Sequence, residues 1–557
     1  MIFTEFQRYK FPKRNQSEMK RILMAVLFWR QKTQKSVGKN VAASLRMTRS
    51  ILILFCENLR TPCLVGHAPP VQFQTARSTR MSLNRLENLA RTKTVATIGP
   101  ASNSPEVLKQ LIENGANVFR LNMAHGDREN HTECIRRIRE VSQQIGLPVG
   151  ILVDLAGPKI RLGQLANDPL HVETGHELRF VRGNESADPD ELTCSYEKLI
   201  DEVETGDTIV LADGALRLEV VDSVADQLVC RATDGGTLRS RQGVNLPGTH
   251  LSVPALGDID KENAVWACQN GADFVSISFV RNAEEVEELR QLLTASGSDA
   301  QIVAKIEKRE ALDNLDAIVM ATDVVMVARG DLGVEIEIEK TPLAQKRIIR
   351  TCLQHSKPVI VATQMLESMH ASRLPTRAEA SDVANAILDG ADACMLSGET
   401  AIGEFPVAAV QMMQRIKIET ETMLENRASR TSRSGNDQGW TISEAVIYGT
   451  AQIARRLDAR LVFIATAGSQ LPLAKSKQRD YVPTVCMTDN PRLFQRMSMY
   501  WSVIPVLVEQ LNDQNLIEYI RNWATDQGGL SAGERYVTVM DTEILPGIHD
   551  TVMVTEL

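Results

Sequence analysis

The chain predicts an α/β fold: a (β/α)8 (TIM) barrel with a small inserted all-β lid domain and a C-terminal α/β domain. Three observations predict it. From residue 93 onward, short runs of apolar, largely β-branched residues alternate with amphipathic stretches, and eight such runs precede residue 397. That is the cadence of a closed parallel barrel; a doubly wound open sheet usually has fewer strands. Between residues 164 and 247 the cadence stops, and turn-bounded alternating segments such as "ALRLEVV" (215–221) replace it. After the polar stretch "NRASRTSRSGNDQG" (426–439), strand-like runs with helices between them resume.

Taken in order, residues 1–80 are assigned to no fold element. They carry fifteen Lys and Arg against three Asp and Glu and show no lasting periodicity. They read as a basic extension upstream of a start at Met81, with an Arg-rich transit peptide and a disordered basic arm as alternatives. The barrel is expected over residues 81–163 and 248–426, the lid over 164–247, a linker over 427–440 and the last domain over 441–557. "KTVATIG" (93–99) opens the barrel as a strand. Ser104-Pro105-Glu106 then starts a helix with a cap and a proline at its first position; Leu108, Leu111 and Ile112 form its apolar face, and Gly115 ends it. The further strand runs are "ANVFRLN" (116–122), "PVGILVD" (148–154), "ADFVSISF" (272–279), "QIVAKIE" (301–307), "DVVMVAR" (323–329), "PVIVAT" (358–363) and "ADACML" (391–396). Among the helices, Arg377–Asp389 places Ala380, Val383, Ala384, Ile387 and Leu388 on one face. The last domain shows "LVFIAT" (461–466), "VPTVCMT" (482–488) and "SVIPVLV" (502–508).

Composition narrows the function classes. The net charge is −8, yet residues 1–80 contribute +12, leaving −20 on the rest. So acidic a body argues against nucleic acid as a partner. The longest apolar runs near the start, Ile22–Trp29 and Ile51–Phe55, fall far short of the ~18–20 residues a membrane span needs, so no membrane partner is expected. Nine scattered cysteines without a C-x-x-C pair fit a reduced, cytoplasmic setting and neither a disulfide framework nor a zinc site.

Chemistry gathers where barrel strands feed their following loops. Strand two ends with Arg120 and Asn122, two apart and therefore on one face. Strand three ends in "DLAGPKIRLG" (154–163), which places Asp154, Lys159 and Arg161 together. Strand five carries Lys305 and Glu307, again co-facial, strand six runs into Arg329-Gly330-Asp331, and strand seven ends with Thr363-Gln364. Singly, each has a bland reading: a K-x-E at a solvated edge, an ordinary turn at Gly330. Jointly, Glu307 and Asp331 supply hard oxygen ligands for Mg2+, which takes one or two protein carboxylates and leaves the rest to phosphate and water. Arg120, Arg161 and Lys305 can neutralise a phosphoryl group in flight, and Gly330 lets backbone amides approach an anion. The constellation calls for phosphoryl transfer on a small acid.

In this order, "TIGPAS" (97–102), "FRLNMAHG" (119–126), "DLAGPKIR" (154–161), "GVNLPG" (243–248), "AKIE" (304–307), "VARGDLGVEI" (327–336), "ATQMLESM" (362–369), "PTRAEASDVANAILDGAD" (375–392) and "MLSGET" (395–400) resemble the pyruvate kinase family over residues 90–557. The resemblance implies transfer of the phosphoryl group of phosphoenolpyruvate to ADP, giving pyruvate and ATP, the last step of glycolysis, by a homotetramer. It implies Glu307 and Asp331 as ligands of Mg2+ (or Mn2+), Lys305 beside the transferring phosphoryl group, Arg120 on the phosphate, the amides around Gly330 and Asp331 on the substrate carboxylate, Thr363 near the point of protonation, and Asn122 and Arg161 facing the nucleotide. Many members need K+, held by an Asn, a Ser and an Asp, with a Glu at the position of Lys159. Here Asn122 and Asp154 remain, Ala124 replaces the Ser and Lys159 the Glu. A tethered ammonium then replaces the free ion and K+ is not required; Lys159 as a plain surface residue is the competing reading. Members that bind a sugar phosphate effector often carry Thr-x-Ser-Gly-x-Ser/Thr in the last domain. This chain reads Thr466-Ala467-Gly468-Ser469-Gln470-Leu471, so Thr466, Gly468 and Ser469 form at most a partial phosphate cradle. Two other functions stay open: a barrel lyase acting on phosphoenolpyruvate or pyruvate, and a catalytically lapsed regulatory paralogue.

Overall fold

Eight parallel strands close into a barrel: Lys93–Thr97, Val118–Asn122, Gly150–Asp154, Phe274–Ile277, Gln301–Ile306, Val324–Ala328, Val359–Ala362 and Ala393–Leu396, the last pairing back onto the first. The computed structural model describes residues 90–557 except 225, 250, 429–440, 512 and 542–549. The expected N-terminal extension, and the linker beyond residue 428, lie outside the described residues.

The strands read as unbroken apolar runs because both faces are covered. Their period of two divides the work. Ala304 and Ile306 pack outward with Val325, Val327, Val359 and Val361 against the surrounding helices, while Val303, Met326, Ile360 and Met395 fill the interior. The interior residues give way to polar ones toward the carboxyl ends, where Arg120, Asp154, Ser276 and Lys305 continue the inward rows.

Local signals account for the helices. Pro105–Glu113 starts at Ser104, whose side chain accepts from the Val107 N–H, and buries Leu108, Leu111 and Ile112. Arg377–Asp389 is held by a reciprocal capping box of Thr376 and Glu379 and ends at Gly390 with φ +106°. Its buried face is Val383, Ala386 and Ile387. Leu388, expected on that face, is exposed, because it stands about 140° around the helix from Val383.

The chain leaves the barrel after the third strand to form the lid. There a six-stranded sheet runs in the order Val244–Asn245, Thr208–Leu211, Leu216–Val224, Gln227–Ala232, Glu177–Val181, Glu191–Leu192, beside the two-stranded pair Leu170–Val172 and Gly236–Leu238. It has its own core around Leu178, Phe180, Ile209, Leu218 and Cys230.

The C-terminal sheet has five strands, ordered Val503–Leu507, Thr484–Thr488, Leu461–Ala465, Arg535–Met540 and Thr551–Glu556. The first four are parallel and the last antiparallel. Sequence patterning marks only the first three in chain order.

Candidate active site

The barrel brings Lys305, Asp154, Glu307 and Arg120 into one network. Asp154 ends the third strand in register with Asn122 on one side and Ser276 on the other. Its carboxylate takes Arg120 Nε at 2.6 Å and Nη2 at 2.5 Å, accepts from the Ser276 hydroxyl, and lies 3.5 Å from the Lys305 ammonium. Lys305 is also 2.8 Å from Glu307 Oε1 and donates to Ser278 Oγ at 2.9 Å. Arg120 reaches back to Thr97 Oγ1 at 3.2 Å.

Burial disfavours charge on Asp154, Lys305 and Glu307, and their mutual arrangement sets the direction in which each moves. For Asp154 burial is outweighed by Lys305, Arg120 and the Ser276 hydrogen bond, which together hold its carboxyl well below the usual range. For Lys305 the same penalty is overcome by Asp154 and Glu307, so its ammonium is held above the ordinary lysine value. Glu307 is pushed upward, by burial first and then by the negative charge of nearby Asp331, although Lys305 pulls the other way. Glu307 is fully buried, with Oε2 fixed by the Phe279 N–H at 2.7 Å. Two hard oxygen donors whose mutual repulsion a cation would relieve fit Mg2+ or Mn2+.

Gly330 and Asp331 lie in the first turn of the helix Arg329–Glu335. The amide expected to meet a substrate carboxylate, Gly330 N–H, donates instead to Thr363 Oγ1 at 2.8 Å. That hydroxyl donates in turn to the Ala362 carbonyl at 2.6 Å. Gly330 thus anchors Thr363, because this turn of helix faces the end of the seventh strand.

A cavity of about 490 Å3 opens between this rim and the lid, lined by Lys159, Arg161, Arg239, Arg241, Arg281, Lys308 and Asp331 among others. Arg161 therefore stands with the lid, donating to the Arg241 carbonyl at 3.2 Å, and apart from the Arg120–Asp154–Lys305 network. Lys159 is exposed in the cavity wall and is not among the ion partners of Asp154, which are Arg120 and Lys305. Asn122 accepts from the Ala124 N–H at 3.2 Å, so its side chain shapes the loop after the second strand.

Sequence reasoning missed Ser276, Ser278, Arg281 and Lys308. The two serines were legible as inward-facing partners in "SISF", two residues apart, but a neutral hydroxyl does not announce a site. Lys308 donates to Glu335 Oε1 at 2.6 Å, and burial raises Glu335 to about 7 against the pull of that lysine.

In the last domain Gly468 N–H donates to Thr466 Oγ1 at 2.9 Å. The Thr466 hydroxyl, however, is bound to the carboxylate of Asp541. A carboxylate at the mouth of a phosphate cradle repels the anion the cradle would hold.

Comparison with known proteins agrees with this fold. The pyruvate kinase barrel-domain model matches residues 89–410, and the pyruvate kinase alpha/beta-domain model matches residues 444–555. The chain is 46% identical to pyruvate kinase 2 of Synechocystis over 429 residues, 76% of this chain and 71% of that protein. It is 38% identical to the Mycobacterium intracellulare pyruvate kinase over 464 residues, 82% of this chain and 97% of that one. A solved pyruvate kinase from Cryptosporidium parvum superposes with a TM-score of 0.79 at 32% identity, covering 86% of this chain and 98% of that one. The matches span both the barrel and the C-terminal sheet domain, and the chain belongs to the pyruvate kinase family.

Proposed function

We propose that the chain transfers the phosphoryl group of phosphoenolpyruvate to ADP, forming pyruvate and ATP. One observation carries the reading above the others: a lysine held protonated between Asp154 and Glu307, beside Asp331, at the carboxyl end of a closed barrel. Lys305 offers a fixed ammonium where charge develops on a phosphoryl group between donor and acceptor. Arg120, braced by Asp154, meets the phosphate from the other side. Glu307 and Asp331 would hold Mg2+ or Mn2+, which when bound supplies Lewis-acid neutralisation of the substrate's oxygens. With the Gly330 amide engaged, the substrate carboxylate falls to the amide of Asp331. Thr363 sits where the enolpyruvate left behind is protonated, through water, since a threonine hydroxyl is itself a weak acid. The cationic cavity under the lid suits a nucleoside diphosphate, with Arg161 toward its phosphates and Asn122 shaping the adjoining loop.

On this reading the enzyme works in glycolysis, in the cytoplasm, as a homotetramer, and without K+. The charge of Lys159 in the cavity wall supports the last point. Among the described residues no helix is long and apolar enough to cross a membrane. A coupled assay of pyruvate formation tests the activity. Pyruvate that appears only with phosphoenolpyruvate, ADP and Mg2+ together supports it. ADP-independent carbon–carbon bond chemistry would favour a lyase, and inertness would favour a lapsed paralogue.

A further inference from the structure

We infer that Arg329 is a positioning residue for Thr363: its guanidinium holds the strained turn that aims the threonine hydroxyl into the site. The inference rests on the functional reading above and goes beyond it. Thr363 and Gln364 leave the seventh strand with φ of +67° and +54°, two consecutive non-glycine residues in the left-handed region. Such a conformation persists only where its surroundings over-determine it.

Arg329 supplies that constraint. Its Nη2 donates to the carbonyls of Thr363 at 2.7 Å and Gln364 at 3.4 Å, and lies 2.9 Å from the Met365 sulfur. Nε reaches the Ala362 carbonyl at 3.4 Å. Nη1 is anchored by Asp382 at 2.6 Å and by Gln345 at 3.4 Å. One planar fork thus gathers three successive carbonyls and is itself tied to the helix Arg377–Asp389. A lysine, with a single nitrogen, cannot make that set of bonds. The next residue, Gly330, donates to the Thr363 hydroxyl, so one short segment fixes both backbone and side chain of the threonine. None of these partners belongs to the anionic group around Lys305; Arg329 acts on the turn.

Steady-state kinetics of pyruvate formation on the full chain test this. Arg329→Lys is expected to lower kcat by about 10–100-fold while KM for phosphoenolpyruvate changes less than about threefold, the cost of a small misplacement at the reacting centre. Adding Gln364→Gly, which accepts positive φ without strain, is expected to recover kcat at least about fivefold in the Arg329→Lys background but to give no gain in the native one. Asp382→Asn, which loosens only the anchor, should show a milder kcat loss rescued in the same way, and it carries the test if Arg329→Lys does not fold. A kcat within twofold of the native enzyme in Arg329→Lys, or a loss that Gln364→Gly leaves unrepaired in both backgrounds, would overturn the inference while native activity stands. A native chain that forms no pyruvate would instead overturn the functional reading.

Discussion

Lys305, its side chain 11% exposed, is held as an ammonium because two carboxylates, Asp154 and Glu307, outweigh its desolvation. On the proposed mechanism this suits it to its role, since a charge already fixed in place needs no reorganisation when the phosphoryl group moves. Lys305→Met is therefore expected to lower kcat on the order of 10^3-fold. Circular dichroism should show the barrel intact, and a kcat within tenfold of native would contradict the assignment. At this scale the sequence is a guide to charged residues on the strands, and a poorer one to Lys159 and Arg161 beyond the strand end, which stand in the cavity wall with the lid. Strand periodicity alone placed Lys305 with Glu307 and Arg120 with Asn122, because alternate residues share a face. It was a poor guide for groups whose role depends on a partner far along the chain. Nothing local in "VARGDLG" says that Gly330 donates its amide to Thr363, 33 residues away. Nor does "DLAGPKIR" say that Asp154 braces Arg120 and Lys305.

At the scale of elements, the barrel was legible because buried parallel strands are apolar throughout and the helices between them carry caps such as Ser104 and Thr376. The last two strands were not. "RYVTVM" is separated by two intervening strands from Val503–Leu507, the strand that precedes it in the chain, and "TVMVTE" is a half-exposed antiparallel edge whose alternation resembles a solvated loop. The loop between the third strand and the lid carries the most specific expectation. Lys159 lines the same cavity as Arg161, Arg239 and Arg241, a local positive field into which a monovalent ion would enter against repulsion. Activity in buffer free of K+ is expected to lie within about twofold of that at saturating K+, and Lys159→Glu should make the rate K+-dependent. A large stimulation of the native enzyme by K+ would refute this.

At the scale of the whole molecule, buried charges stitch the base of the barrel to the C-terminal domain. Lys477 and Arg479 reach Asp392 at 2.6 and 3.2 Å. Lys93 donates to the Val503 carbonyl at 2.9 Å, while Lys417, within the barrel domain, donates to Thr94 Oγ1 at 2.7 Å. Burial lowers Lys93 to about 7, with Lys417 adding to the effect, and burial lowers Lys417 and Lys477 to about 8. A lysine whose native value lies below its unfolded one leaves the unfolded chain holding more protons between the two, so stability rises with pH across that window. Buried thiols work in the opposite sense. Cys134, Cys230, Cys352 and Cys394 are pushed up to about 12 by burial, so above their ordinary value the unfolded chain sheds protons the native state keeps. Thermal stability is therefore expected to rise from pH 7 to roughly 8.5 and to fall above roughly 9. A melting series across that range checks it, and Lys417→Met should flatten the rise; a steady fall from pH 7 would contradict the assignment of these lysines.

If a divalent ion gripped by Glu307 and Asp331 beside Lys305 makes phosphoryl transfer possible, the Mg2+ dependence of pyruvate formation in Glu307→Gln will show it. The half-saturating Mg2+ concentration is expected to rise at least about tenfold and kcat to fall on the order of 10^2-fold or more. A variant with the native enzyme's Mg2+ curve and rate would contradict it.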